Sequence, residues 1–452
     1  MTIHATLIVA AVSLTTAVAV AGCGNGDRSY SCPDCNILLI SADTLRADHV
    51  GAWGYDRDTT PNIDGLAARG VVFENAISQS SWTRPAHMSM FTGLYPSEHG
   101  FVALIDRKRL DPSVPTLAEV LAEHGYTTAA FTGGVNMSAA FGFDRGFQTF
   151  RSNGKYFRDN LEDTKYWLEE HAREKFFLVF HGYDAHTPYL TDPVDRLALG
   201  LSDRAPRKGL RRICKSKAGQ RYLRRYIDEY DGGIHRGDRY VGKLLDYLQG
   251  LGVLANTVVV FTSDHGEEFM EHGGCFHLNT VFSEVLHVPL LIVAPGLTPR
   301  RVGDLVPASV SIAPTILEIA GVTDHPLPGP SLVQAALGGR SPKGSVISET
   351  SRTMSHPRGR GHVRALTTES DKLIQWITQQ RYDHFDLRRD PGETRPLGLS
   401  GRQQALRIRL EDWLERHPRR GAGEDEPGEQ EKIPDDEQRR LQEELRSLGY
   451  MN

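Results

Sequence analysis

Three apolar runs, "NILLISAD" (36–43), "KFFLVFHGYDAH" (175–186) and "TVVVFTSDHG" (257–266), each stop abruptly at carboxylates or histidines. A run without polar alternation is a strand buried on both faces, and such a strand needs helices on each side of its sheet. Helical patterns stand where they are needed: "TLAEVLAEH" (116–124) before the stop at Gly125, "GKLLDYLQGLGV" (242–253) and "SIAPTILEIAGV" (311–322). The alternation predicts an α/β fold with a largely parallel central sheet between helices, spanning 36–325. In such sheets ligands gather at the carboxyl ends of the strands. Asp43, His186, Asp264 and His265 fall there.

Beyond this domain, "GSVISET" (344–350), "HVRALTTES" (362–370) and "DKLIQWITQQRYDHFDL" (371–387) read as short strands, predicting a smaller C-terminal α+β subdomain over 326–420. Residues 421–452 read as an acidic tail with a short terminal helix. At the other end, residues 1–22 have the apolar, small-residue character of a signal peptide, although no Lys or Arg precedes the run. Val20-Ala21-Gly22-Cys23 resembles a bacterial lipobox, which makes Cys23 the lipid attachment point and 23–35 a tether. The expectation is an exported lipoprotein anchored to a membrane of a bacterial cell envelope, periplasmic or at the cell surface. Cys32 and Cys35 have no second close pair with which to bind zinc, so they are expected as a disulfide or two thiols without catalytic role.

The 52 Lys and Arg against 57 Asp and Glu give a net charge of −5, which provides no global field for nucleic acid. No nucleic-acid partner is expected. The one dense basic run, 203–226, reads as a solvated insertion or as a contact for anionic lipid headgroups or an anionic substrate.

Asp43 and Asp264 supply hard oxygen ligands and His265 an imidazole, a set suited to one divalent ion. A hydroxyl beside that ion becomes a nucleophile at neutral pH, and Thr83 in "SQSSWTRPAHMSMFTGLYPSEHG" (78–100) is the hydroxyl to place there. Ser81 is the other candidate hydroxyl in the loop.

These segments, together with "NILLISADTLRADHVGAWGYDRDTTPNIDGLAARGVVFENA", "HGYDAHTPY", "FTSDHGEEFMEHG", "LHVPLLI" and "FDLRRDPGETRPL", resemble the sulfatase family of the alkaline phosphatase superfamily. The resemblance implies a metal-bound nucleophile, an alkaline phosphatase-like fold and a smaller C-terminal domain. In the family's sulfatases the loop carries a cysteine that becomes formylglycine. Here the frame reads Thr83-Arg84-Pro85-Ala86-His87, so no formylglycine is expected. Without the second hydroxyl of a hydrated aldehyde, a threonine ester must be resolved by attack on the central atom, which favours phosphate over sulfate esters. The resemblance implies Asp43, Thr83, Asp264 and His265 as ligands, with Mn²⁺ or Zn²⁺ favoured over Mg²⁺ or Ca²⁺. His186 and His277 stand where relatives place cationic or proton-donating groups, and His87 replaces the loop arginine. Asp184 could join His186 and His277 in a second metal site, though the spacing matches poorly; Glu267, Glu268 and His272 read as supporting residues.

The expected activity is metal-dependent hydrolysis of a sulfate or phosphate ester, mono- or diester, carried on a glycan, lipid or small molecule. A phosphoryl or headgroup transferase, and a lipoprotein that binds anionic glycan or lipid without turnover, are the alternatives.

Overall fold

The computed structural model describes residues 29–102, 108–202, 220–342, 344–352, 361–398 and 400–418, with positions 439 and 443. The signal segment, Cys23, most of the basic run and the acidic tail lie outside the described residues.

Eight strands form the main sheet: β1 (Asn36–Ala42), β2 (Val71–Ile77), β3 (Thr127–Gly133), β4 (Thr149–Gly154), β5 (Phe176–Gly182), β6 (Thr257–Thr262), β7 (Leu290–Val293) and β8 (Arg300–Pro307). Their order is β8-β2-β7-β6-β1-β5-β3-β4. Every neighbouring pair is parallel except those of β7, which runs against both β2 and β6. The reversal follows from the 263–289 connection, which stays at the carboxyl edge of the sheet instead of crossing back through a long helix.

Successive side chains of β1 serve two cores. Ile37 and Leu39 pack on one face among residues of α2 (Thr83–Thr92), α3 (Leu117–Glu123) and α6 (Ser309–Ile319). Leu38 and Ile40 pack on the other among residues of α1 (Pro61–Ala67), α4 (Phe157–His171) and α5 (Gln220–Gly250). This two-sided burial is what the unbroken apolar runs predict. The start of α3 also follows from sequence: Thr116 caps the Glu119 N–H at 3.2 Å and Glu119 returns to the Thr116 N–H at 2.9 Å. The described end of the basic run, from Gln220 onward, is the first part of the 31-residue α5, with Arg224 and Arg225 exposed.

The C-terminal sheet is an antiparallel meander of β9 (Val346–Arg352), β10 (Gly361–Thr367), β11 (Asp371–Trp376) and β12 (Arg381–Asp386). One face packs on Val281, Phe282, Val285 and Leu286 of the main domain. The other is covered by α7 (Gly401–Arg416) through Leu406, Leu410 and Trp413. That helix is absent from the sequence reading; its apolar positions recur at helical spacing, but charged residues crowd every other face.

Strand β9 also braces the 78–81 loop ahead of Thr83. Ser348 Oγ donates to Ser78 O at 2.6 Å, the Glu349 N–H to Gln79 O at 2.8 Å and Ser80 Oγ to Glu349 O at 2.8 Å. Of the alternatives for Cys32 and Cys35, the structure has the disulfide, and Cys275 is disulfide-bonded as well.

Candidate active site

Three adjacent strands, β6, β1 and β5, end side by side, and their carboxyl ends supply the polar groups. Asp43 follows β1, with its N–H on Gly182 O at 3.0 Å. Asp264 and His265 follow β6. Gly266 completes the turn because a Cβ there would lie 2.1 Å from Glu284 O, so only glycine allows this approach. Thr44 takes a left-handed conformation, φ 58°, that is costly for a β-branched residue. The strain has a local return: the Thr44 N–H reaches Asp264 Oδ1 at 3.1 Å, tying the end of β1 to the end of β6.

Thr83 opens α2, after Trp82 in extended conformation. Its hydroxyl is fully buried and donates to Asp43 Oδ2 at 3.2 Å, with His265 Nε2 at 3.4 Å. The positive end of the helix dipole therefore lies at the hydroxyl, where it favours developing negative charge. Asp43, Asp264 and His265, all buried, place one ligand atom each within 4.8 Å of one another. The structure thus brings together all four residues of the expected ligand set.

These residues fit a cation. Asp43 Oδ1 and Asp264 Oδ2 are buried without a hydrogen bond, a costly state for carboxylates unless a positive charge sits against them. Burial, followed by the Asp264 carboxylate, pushes the Asp43 carboxyl well above the usual range. Asp264 goes the other way: burial opposes its charge, but His265, His87 and His181 outweigh that and hold it low. His265 donates Nδ1–H to Gly266 O at 2.9 Å, which makes Nε2 the lone-pair nitrogen facing Thr83. Burial holds its imidazole down at about 3, against the pull of Asp264, so the ring is neutral and ligand-ready.

Two further histidines face this centre. His277 lies 4.4 Å from His265 and 5.1 Å from His186, ring centre to ring centre. His277 Nδ1 is 2.9 Å from Glu267 Oε1, and His186 donates Nδ1–H to Thr187 O at 2.5 Å. His87 stands differently. Its Nδ1–H goes to Thr83 O at 3.0 Å and its Nε2 accepts from Ser41 Oγ at 2.9 Å. Nδ1 is bonded within the first turn of α2 and lies 3.5 Å from Asp264 Oδ2, while Nε2 joins that turn to β1, so His87 holds Thr83 in place beside the carboxylates. Asp184 is also removed from any second metal site, since it accepts from the Phe157 N–H at 2.7 Å and faces the buried Arg236 at 3.2 Å.

One residue escaped the sequence reading. His181 accepts the Gly133 N–H on Nδ1 at 3.0 Å, which puts its proton on Nε2, 3.5 Å from Asp43 Oδ2. A histidine inside an apolar run, one residue from the strand end, was the available signal. A second acidic group, Glu268, His272 and Glu284, is a latch: His272 sits 2.7 Å from Glu284 Oε1, reaches Glu393 O at 3.1 Å and stacks on Phe282.

A sequence model of the Sulfatase family matches residues 35–322. The chain belongs to the sulfatase family. As a sulfatase-family protein it is a sulfatase-like ester hydrolase. It is 23% identical over 443 residues to the Delta 4,5-hexuronate-2-O-sulfatase of Bacteroides thetaiotaomicron, a match covering 87% of this chain and 91% of the relative. With rat arylsulfatase K it shares 25% identity over 65% of this chain, spanning only 60% of that relative. Among solved structures, the phosphonate monoester hydrolase of Agrobacterium radiobacter shares the fold with a TM-score of 0.69 at 20% identity, over 85% of this chain and 95% of that one. The sulfatase family generally uses a divalent metal, and Asp43, Asp264 and His265 form a group able to take one.

Proposed function

We propose that this protein hydrolyses phosphate or sulfate esters with Thr83 as nucleophile, phosphoesters being favoured. The observation that carries the reading is the buried Thr83 hydroxyl at the head of α2, within 3.2 Å of Asp43 Oδ2 and 3.4 Å of His265 Nε2. Asp43, Thr83, Asp264 and His265 would hold a divalent ion, Mn²⁺ or Zn²⁺ by donor type, which lowers the pKa of an adjacent hydroxyl and offsets charge on the transferred group.

Thr83 gives its proton toward Asp43 Oδ2 as Oγ1 forms the bond to phosphorus or sulfur. The ester bond breaks with its electron pair on the leaving oxygen, which takes a proton from His277, beside which His186 packs. Water then gives a proton to His277 as its oxygen attacks the central atom of the threonine ester, and the Thr83 oxygen leaves, taking back the proton held at Asp43. His87 keeps the first turn of α2 from moving. An ester of threonine lacks the second hydroxyl that would let sulfate leave by carbon–oxygen cleavage, and this chemistry favours phosphorus.

The substrate class is an anionic ester on a glycan, lipid or small molecule; the hexuronate sulfatase relative supports a sugar. We place the protein outside the cytoplasm, anchored through Cys23. The Cys32–Cys35 disulfide supports an oxidising compartment.

The test is turnover of 4-nitrophenyl phosphate, bis(4-nitrophenyl) phosphate and 4-nitrophenyl sulfate by metal-loaded protein and by Thr83→Ala. The expected result is fastest cleavage of a phosphoester, reduced on the order of 10³-fold or more by the substitution. Preference for the sulfate would overturn the phosphoester assignment, and an active Thr83→Ala would overturn the nucleophile. Inertness of the parent toward all three would favour a binding protein.

A further inference from the structure

Glu267 has no part in the mechanism above, yet it is fully buried and both its carboxylate oxygens are engaged. Oε1 lies 2.9 Å from His277 Nδ1, and Oε2 accepts from the Tyr189 hydroxyl at 3.0 Å. Its backbone is pinned as well: Glu267 O accepts from Arg46 at 3.0 Å, and the preceding Gly266 N–H is on Val285 O at 3.1 Å. Tyr189 is in turn wedged edge-on against Tyr230, 5.6 Å between ring centres. On the other side of the pair, His277 is flanked by two residues in left-handed conformations, Phe276 at φ 70° and Leu278 at φ 81°. Non-glycine residues rarely accept this conformation, and here the Leu278 N–H is held on Ser81 O at 2.9 Å, in the loop that leads to Thr83.

We infer that Glu267 is the positioning residue of His277, with Tyr189 locking the carboxylate. The carboxylate holds the His277 Nδ1 proton and the ring plane, so Nε2 is the atom that exchanges a proton with the leaving oxygen. The logic is that of a buried carboxylate orienting a catalytic imidazole. The strained 276–278 backbone presents the ring, and the Glu267–Tyr189 pair stops it from rotating. This inference rests on His277 as proton donor in the proposed function.

A leaving-group comparison separates orientation from general structural support. Phenyl phosphate needs a proton at its departing oxygen far more than 4-nitrophenyl phosphate does, and phenyl and 4-nitrophenyl sulfate form the equivalent pair. Glu267→Gln is expected to lower kcat on the phenyl ester roughly 10- to 100-fold with KM little changed, while the nitrophenyl ester loses far less. His277→Ala should show the same pattern, the double variant should add nothing further, and Tyr189→Phe should shift in the same direction by a few-fold. A spectroscopic reading needs no turnover: the imidazole N–H shared with Glu267 should give a downfield proton resonance, absent from both Glu267→Gln and His277→Ala. Equal losses on both esters for Glu267→Gln, or a resonance that survives it, would overturn the inference. If His277→Ala itself shows no leaving-group dependence, the proton-donor reading fails instead.

Discussion

At Thr83 three independent devices act on one hydroxyl: the α2 dipole, the Asp43 acceptor, and His87, which ties the Thr83 carbonyl to Ser41. The four ligand-type residues were legible in sequence because each sits at a strand end or a loop whose spacing is diagnostic. The contacts of His181 and Glu267 were not, because a ring's tautomer and a carboxylate's partners depend on groups more than forty residues away or on a folded loop. Buried histidines also give a prediction. Burial holds His99 at about 3, while in the unfolded chain an imidazole titrates near 6.5. Below 6.5 the unfolded state takes up a proton that the folded state refuses, so stability is full above that pH and falls toward 3. His99 alone should cost about 2 kcal/mol between pH 7 and pH 5. Urea unfolding at the two pH values should show this drop, and His99→Gln, which keeps an acceptor for the Phe101 N–H, should reduce it. An unchanged drop in the variant would contradict the assignment.

Between elements, the 264–289 segment matters most, since it carries His265, Glu267 and His277 and forces β7 to run antiparallel. It is held from below by the C-terminal sheet. Lys372 on β11 pairs with Glu393 at 2.8 Å, both about 1% exposed, and Glu393 also accepts the Ser283 N–H at 2.7 Å. Removing one partner leaves a buried unpaired charge, so Lys372→Met should destabilise the fold by about 3–5 kcal/mol. The midpoint of urea unfolding should fall without a change in slope. A loss under about 1 kcal/mol would show the pair to be solvated. The parallel sheet was legible because apolar runs buried on both faces leave few alternatives. Helix α7 was not, because Leu406, Leu410 and Trp413 make a narrow stripe whose meaning depends on the sheet beneath it.

Across the whole molecule, the two cores build a rigid edge, and the C-terminal sheet reaches around it to brace the loop before Thr83. Asp43 and Asp264 store mutual repulsion there that a cation would relieve. Mn²⁺ or Zn²⁺ should therefore raise the thermal midpoint in a concentration-dependent way, and Asp264→Asn should weaken that dependence. A midpoint indifferent to either ion would argue against the site. The central claim, that Thr83 forms the covalent intermediate, is met most directly by quenching turnover of a labelled ester in acid and mapping the label by peptide mass. The account predicts label on Thr83, lost in Thr83→Ala and retained in Ser81→Ala. Label on Ser81, or turnover with no labelled peptide at any time of quench, would contradict it.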